Sequence, residues 1–178
     1  MEFARLVRHR YSTRAYRQDP VHRNALDRCF EAARLAPSAC NSQPWKFIVV
    51  DRPGIRERLA GAAFSGMFSM NAFARTAPVL VAVVVKTPVL PALLGGFARR
   101  VRFPFIDVAI ACEHIVLQAV EEGIGSCWIG CFNERAVKTV LCLSRSVSVP
   151  VMLALGYPEG RCPPKVRKPL DEIRTYAG

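Results

Sequence analysis

"DVAIACEHIVLQAVEEGIGSCWIGCF", Asp107 to Phe132, is the stretch on which the fold turns. Ile110, His114 and Leu117 recur at three- to four-residue spacing among small residues, the pattern of an amphipathic helix. This helix is expected over Ile106 to Glu122, and Gly123 ends it because glycine enters the left-handed conformation of a helix terminus at little cost. "GSCWIG", Gly125 to Gly130, then reads as a short strand or turn with a glycine at each end. A long core helix feeding a glycine-flanked strand is the hub around which the other segments are placed.

Upstream, Phe3, Leu6 and Val7 give a short first helix ending near Arg10. A second helix is expected over Val21 to Leu35, with Leu26, Cys29, Phe30 and Ala33 on one face, and Pro37 stops it. Phe47 to Val50 reads as a strand and Pro53 opens a helix, a position that tolerates its missing N–H. Phe64 to Arg75 reads as helical, and the unbroken apolar run Val79 to Val85 as a buried strand. Downstream, Asn133 caps a helix to Leu141, and "VSVPVMLALGYP" is another apolar strand. Pro88 to Phe103, with its prolines, Gly pair and arginines, stays unassigned and reads as a mobile or partner-facing excursion. Strands and helices alternate irregularly, so the expected class is α+β rather than a doubly wound parallel sheet. No GxGxxG or GxxxxGK[ST] loop is present.

With 178 residues and 51% hydrophobic content, the chain suits one domain, 1–178, with a real core. The longest apolar run, Ala77 to Val85, falls short of the roughly 20 residues of a membrane span. The arginine-rich N-terminus lacks a signal-peptide core, so a cytoplasmic protein without a membrane partner is expected. The seven cysteines sit in apolar segments and are expected to be reduced and mostly buried. Cys127 and Cys131 lack a second ligand pair at zinc spacing, so no metal is expected. The net charge of +11, with arginine outnumbering lysine 20 to 5, raises a polyanion as partner. The arginines are spread along the chain without an RNA-binding or helix-turn-helix pattern, so no nucleic acid is expected. Two local concentrations stand out, "RHRYSTR" (Arg8 to Arg14) and "KVRK" (Lys165 to Lys168). Brought together, they would make one small anion site.

Four segments, "RHRYSTRAY", "APSACNSQPWKF", "DVAIACEHIVLQAVEEGIGSCWIGCF" and "LALGYPEG…PPKVRKPLDEI", resemble in order and spacing the FMN-dependent nitroreductase family, over nearly the whole chain. The resemblance implies a mixed, mostly antiparallel sheet flanked by helices, in an intertwined homodimer with FMN at the interface. It places Arg10, Tyr11, Ser12 and Arg14 in the first FMN segment. Arg10 and Ser12 would bind the phosphate, whose charge suits guanidinium and hydroxyl donors, and Arg14 would lie near the pyrimidine edge. Lys165 and Arg167 match a late basic pair that returns to the phosphate, with Lys168 an alternative within one residue of register. Pro37, Ser38, Asn41 and Gln43 would reach the flavin of the partner subunit. Ile129 and Gly130 would pass main chain along the ring, and Asn71 would approach it.

The implied activity is an NAD(P)H oxidoreductase, with NADH or NADPH reducing FMN at N5. A small-molecule acceptor, nitroaromatic, quinone or similarly planar, would then take the electrons. No side chain is assigned as a catalytic acid; Glu113 and His114 are expected in core or interface roles, and Trp45 in the core. Two other readings stand beside it: a specialised flavoenzyme of the same fold (reductive dehalogenase or flavin-fragmenting), and a non-enzymatic basic module that binds flavin or nucleic acid. The Leu90–Phe103 segment occupies the place of a substrate lid.

Overall fold

The computed structural model describes residues 2–86 and 101–177. Residues 88–100 of the irregular Pro88–Phe103 segment lie outside the described residues, so the lid reading falls outside them too. Four strands, β1 (Trp45–Val50), β2 (Val79–Val85), β3 (Gly125–Ile129) and β4 (Ser148–Gly156), form one sheet in the order β1-β2-β4-β3. Every neighbouring pair of strands is antiparallel.

β2 explains the layering. Its seven residues, VLVAVVV, are a continuous apolar run rather than an alternating one, the signature of a strand covered on both faces. Leu80, Ala82 and Val84 enter one core with Leu59, Ala60, Ala63 and Phe64. Val79, Val81 and Val83 enter the other, with Leu26, Cys29, Ile115 and Val116. The first core is roofed by α3 (Pro53–Ala63), the 3₁₀ segment Gly66–Thr76 and a helix over Glu134–Val140, numbered α5. The second is roofed by α2 (Arg23–Arg34) and α4 (Phe103–Glu121). Leu59 and Ile115 are each fully buried, and truncating such a residue to alanine costs about 2–5 kcal/mol. α1 (Phe3–His9) and a last turn, α6 (Leu170–Ile173), complete the chain.

The 64–75 region is helical, as a 3₁₀ helix over Gly66–Thr76 with a break at Asn71. Two expectations are corrected. α4 buries Val108, Ala111, Cys112, Ile115, Val116 and Ala119, whereas Ile110, His114 and Leu117 are only half-buried. The cysteines divide into buried Cys29, Cys112 and Cys127 and exposed Cys40, Cys131, Cys142 and Cys162, all seven free. α4 is long and apolar enough to cross a membrane by length and composition, but its buried face belongs to the second core.

Candidate functional site

The first candidate segment runs along the free edge of β3. Ser12 and Ser126 form a parallel bridge, with the Thr13 N–H donating to the Ser126 carbonyl at 2.9 Å. This is the one parallel element beside the antiparallel ladders among the described residues. Tyr16, 3% exposed, anchors the segment from beneath: its hydroxyl donates to the carbonyls of Thr13 (2.7 Å) and Ala154 (3.3 Å). Burial pushes that phenol far above its ordinary pKa, so it stays a proton donor at any working pH. The Arg17 N–H donates to the Tyr157 carbonyl, and the Glu159 N–H to that of Ala15, each at 2.9 Å.

Gly125 makes the approach possible. A Cβ there would stand 2.5 Å from Thr13 Oγ1, so a larger residue would push the segment off the strand. That oxygen is the one buried side-chain polar atom without a hydrogen-bond partner among the described residues. Thr13 and Tyr16 are buried, Arg10, Tyr11 and Ser12 half-buried, and Arg14 exposed. Burial pushes the Cys127 thiol above its ordinary pKa, against smaller opposing effects of the Arg14 guanidinium, the Ser12 hydroxyl and the Arg10 charge.

The two basic concentrations meet. The Lys165 ammonium donates to the Arg10 carbonyl. Burial, then the positive charges of Arg10 and Arg167, hold Lys165 below the ordinary lysine pKa, against weaker opposing effects of Cys162 and Glu113. Among the described residues no ion pair joins Arg10, Arg14, Lys165 or Arg167 to a carboxylate, whereas Lys168 pairs with Glu172 at 3.7 Å. The fold therefore gathers Arg10, Lys165 and Arg167 without an ion-paired carboxylate among the described residues. Beside them the Arg14 guanidinium lies 5.8 Å from the Phe73 ring centroid, a cation–π arrangement. Asn71 Nδ2 donates to the Cys131 carbonyl at 2.7 Å, which ties the 3₁₀ segment to the main chain just after Ile129 and Gly130.

Pro37, Ser38, Asn41 and Gln43 stand elsewhere, in the turn that enters β1. Ala39 N–H donates to Asp107 Oδ1 at 3.0 Å, and the Ser42 hydroxyl to Asp107 Oδ2 at 3.5 Å. Gln43 N–H donates to Ser38 Oγ at 3.0 Å. The Gln43 amide reaches back to Asn41 O (3.4 Å) and Oδ1 (3.2 Å). Cys40, Asn41 and Gln43 have φ of 51°, 52° and 43°, the left-handed region that non-glycine residues enter at a cost on the order of 1 kcal/mol each. Trp45 is half-buried behind the turn, packed on the second core.

β1 and β3 are the two outer strands of the sheet, three strand spacings or about 14 Å apart. The sequence-predicted residues thus form two groups. Arg10, Tyr11, Ser12, Arg14, Asn71, Ile129, Gly130, Lys165 and Arg167 gather beyond β3, and Pro37, Ser38, Asn41 and Gln43 lie at the β1 side. Sequence reasoning missed Thr13, Phe73 and Asp107, and weighed Cys127 only as a metal ligand. The available signal for Asp107 was a lone carboxylate on the apolar stretch "FIDVAIAC".

The nitroreductase family model matches residues 7–157. A Thermus thermophilus relative named NADH dehydrogenase is 30% identical over 190 residues, covering 92% of this chain and 90% of its own. A 5,6-dimethylbenzimidazole synthase from Rhodospirillum rubrum is 27% identical over 174 residues, covering 89% of this chain and 82% of its own. A solved structure from Exiguobacterium sibiricum 255-15, in complex with FMN, shares the fold at a TM-score of 0.82 with 21% identity, covering 99% of this chain and 98% of that one. Both β-strand order and the edge segment that carries the arginines lie inside the matched region, and the chain belongs to the nitroreductase family.

Proposed function

We propose that this chain is a flavoprotein oxidoreductase that binds FMN, takes electrons from NADH or NADPH and passes them to a small planar acceptor such as a nitroaromatic or quinone. The observation that carries the reading is the group Arg10, Lys165 and Arg167, none of them ion-paired among the described residues. Its charge and its hydrogen-bond donors fit a phosphate monoester, which has close to two negative charges at neutral pH. FMN, the flavin held on this fold in the Exiguobacterium structure, would supply hydride and electron transfer at its N5 when bound.

The chain's own residues take the remaining parts. Arg10, Ser12, Lys165 and Arg167 hold the phosphate, and Tyr11 flanks it. Arg14, steadied on Phe73, offers a fixed cation to the pyrimidine edge. The Ile129–Gly130 main chain, braced by Asn71 on Cys131, lines the ring. Pro37, Ser38, Asn41 and Gln43 of a second copy cover it, which makes the working unit a homodimer. The His114 Nδ1–H donates to the Ala32 carbonyl at 3.0 Å, and protons for the acceptor come from solvent. Seven free thiols suit a reducing cytoplasm.

The test is spectroscopic. The purified protein is expected to carry FMN absorption that bleaches anaerobically with NADH or NADPH and returns on adding an acceptor. Arg10→Ala combined with Arg167→Ala should weaken FMN at least about tenfold, the scale of one lost charge-assisted hydrogen bond. Unchanged affinity refutes the phosphate assignment. The kinship with a 5,6-dimethylbenzimidazole synthase supports a second reading, a flavin-fragmenting enzyme. Loss of flavin absorbance under oxygen, with a benzimidazole product, would select it.

A further inference from the structure

We propose that Asp107 is a positioning residue for the flavin site: it locks the Ala39–Gln43 turn so that Asn41 presents its amide N–H donors outward. The inference rests on the reading of this turn as flavin-facing. Asp107 is 3% exposed and lies one residue from core Val108 on α4. A carboxylate removed from water requires hydrogen-bond donors. Those it has, the Ala39 N–H and the Ser42 hydroxyl, both belong to the turn. His114, seven residues further along α4 and so on the same face, donates to the Ala32 carbonyl near the end of α2. One face of α4 thus grips the chain before and within the turn.

What the grip holds is strained. Cys40, Asn41 and Gln43 are all left-handed, and such residues persist only where their surroundings impose them. Ser38 Oγ accepts from the Gln43 N–H within the turn, and the Ser42 hydroxyl donates to Asp107. Gln43 Nε2 occupies Asn41 Oδ1, which fixes the Asn41 amide with its Nδ2 turned away. That nitrogen has no partner among the described residues. Asn41 is exposed, so the turn offers a donor to an acceptor atom, the complement of a flavin carbonyl, ring nitrogen or ribityl oxygen.

The experiment compares FMN affinity, the band shape of bound FMN and thermal midpoint in four proteins: wild type, Asp107→Leu, Asp107→Asn and Ala39→Pro. Leucine keeps the volume without the acceptor, and proline removes the Ala39 donor at the first position of a helical turn, where its φ fits. Asparagine retains one oxygen for the Ala39 N–H. Asp107→Leu and Ala39→Pro are each expected to weaken FMN about tenfold with a shifted band, and Asp107→Asn to stay within about threefold of wild type. Lower thermal midpoints with FMN affinity and band unchanged in Asp107→Leu or Ala39→Pro would reduce Asp107 to a core residue and overturn the proposal. Should Asp107→Leu not fold, Ala39→Pro, which leaves the core carboxylate in place, decides alone. A wild-type protein that takes no FMN overturns both this inference and the functional reading. A wild type that binds FMN through Arg10 and Arg167 yet is indifferent to these variants overturns this inference only.

Discussion

Lys165 concentrates the chemistry of the anion site in one side chain. Burial and two neighbouring guanidinium charges favour its neutral form, and a bound phosphate dianion would favour the charged form. Because its pKa stands below the ordinary lysine value, the ammonium is lost as pH rises earlier than for a free lysine, and phosphate affinity falls with it. FMN binding is therefore expected to weaken about tenfold across that alkaline interval, measured by fluorescence titration. The phosphate stays dianionic well above its second pKa of about 6, so the change belongs to the protein. Lys165→Arg, charged throughout, should flatten the profile; a profile unaltered by the substitution contradicts the role. Arg10 and Lys165 stood out in the sequence as members of basic clusters. Thr13 and Cys127 did not, because their importance comes from facing inward against β3, a matter of edge pairing that local composition does not record.

The decisive element is the edge segment from Arg10 to Arg17, held on β3 by the Ser12–Ser126 bridge with its Thr13 amide and tied to β4 by the buried Tyr16 hydroxyl at the Ala154 carbonyl. Gly125 sets how close it lies. Gly125→Ala is expected to destabilise the protein by about 1–3 kcal/mol through overpacking against Thr13, read as a lower midpoint in denaturant unfolding. It should also weaken FMN, since Ser12 is carried by the same bridge. Alanine tolerated without change in either quantity would show that the segment can shift freely. α4 teaches a related lesson. Its helical period and glycine stop were legible, but its core face was not: Ile110, His114 and Leu117 carry the hydrophobic signal, while the buried stripe is built of Ala111, Cys112 and Ala119 with Ile115 and Val116. Close packing between two layers selects for size as well as apolarity.

In the whole molecule the two halves of the candidate site lie at opposite edges of one sheet, and the proposed homodimer would complete each site from two copies of the chain. This can be measured by complementation. An Arg10→Ala/Arg167→Ala chain and a Ser38→Ala/Asn41→Ala chain should each bind FMN poorly as pure proteins. Mixed by unfolding and refolding together, they should recover tight binding at one site per mixed dimer, since the second chain's arginines then face the first chain's intact turn. No recovery would mean that the turn serves its own chain or none. The sequence by itself determined the elements, through periodicity, glycine stops and proline positions, and determined that β2 is covered on both faces, because an unbroken run of valine has no polar side to show water. It also supplied both basic clusters and the amide-rich turn. Only the tertiary structure decided that Arg10, Lys165 and Arg167 share one unpaired charge cluster, that Asp107 holds a turn more than sixty residues away in the chain, and that this turn lies across the sheet from the arginines. These are contacts between distant segments, and they depend on strand order and on which face of α4 is buried, neither of which is written in any local stretch.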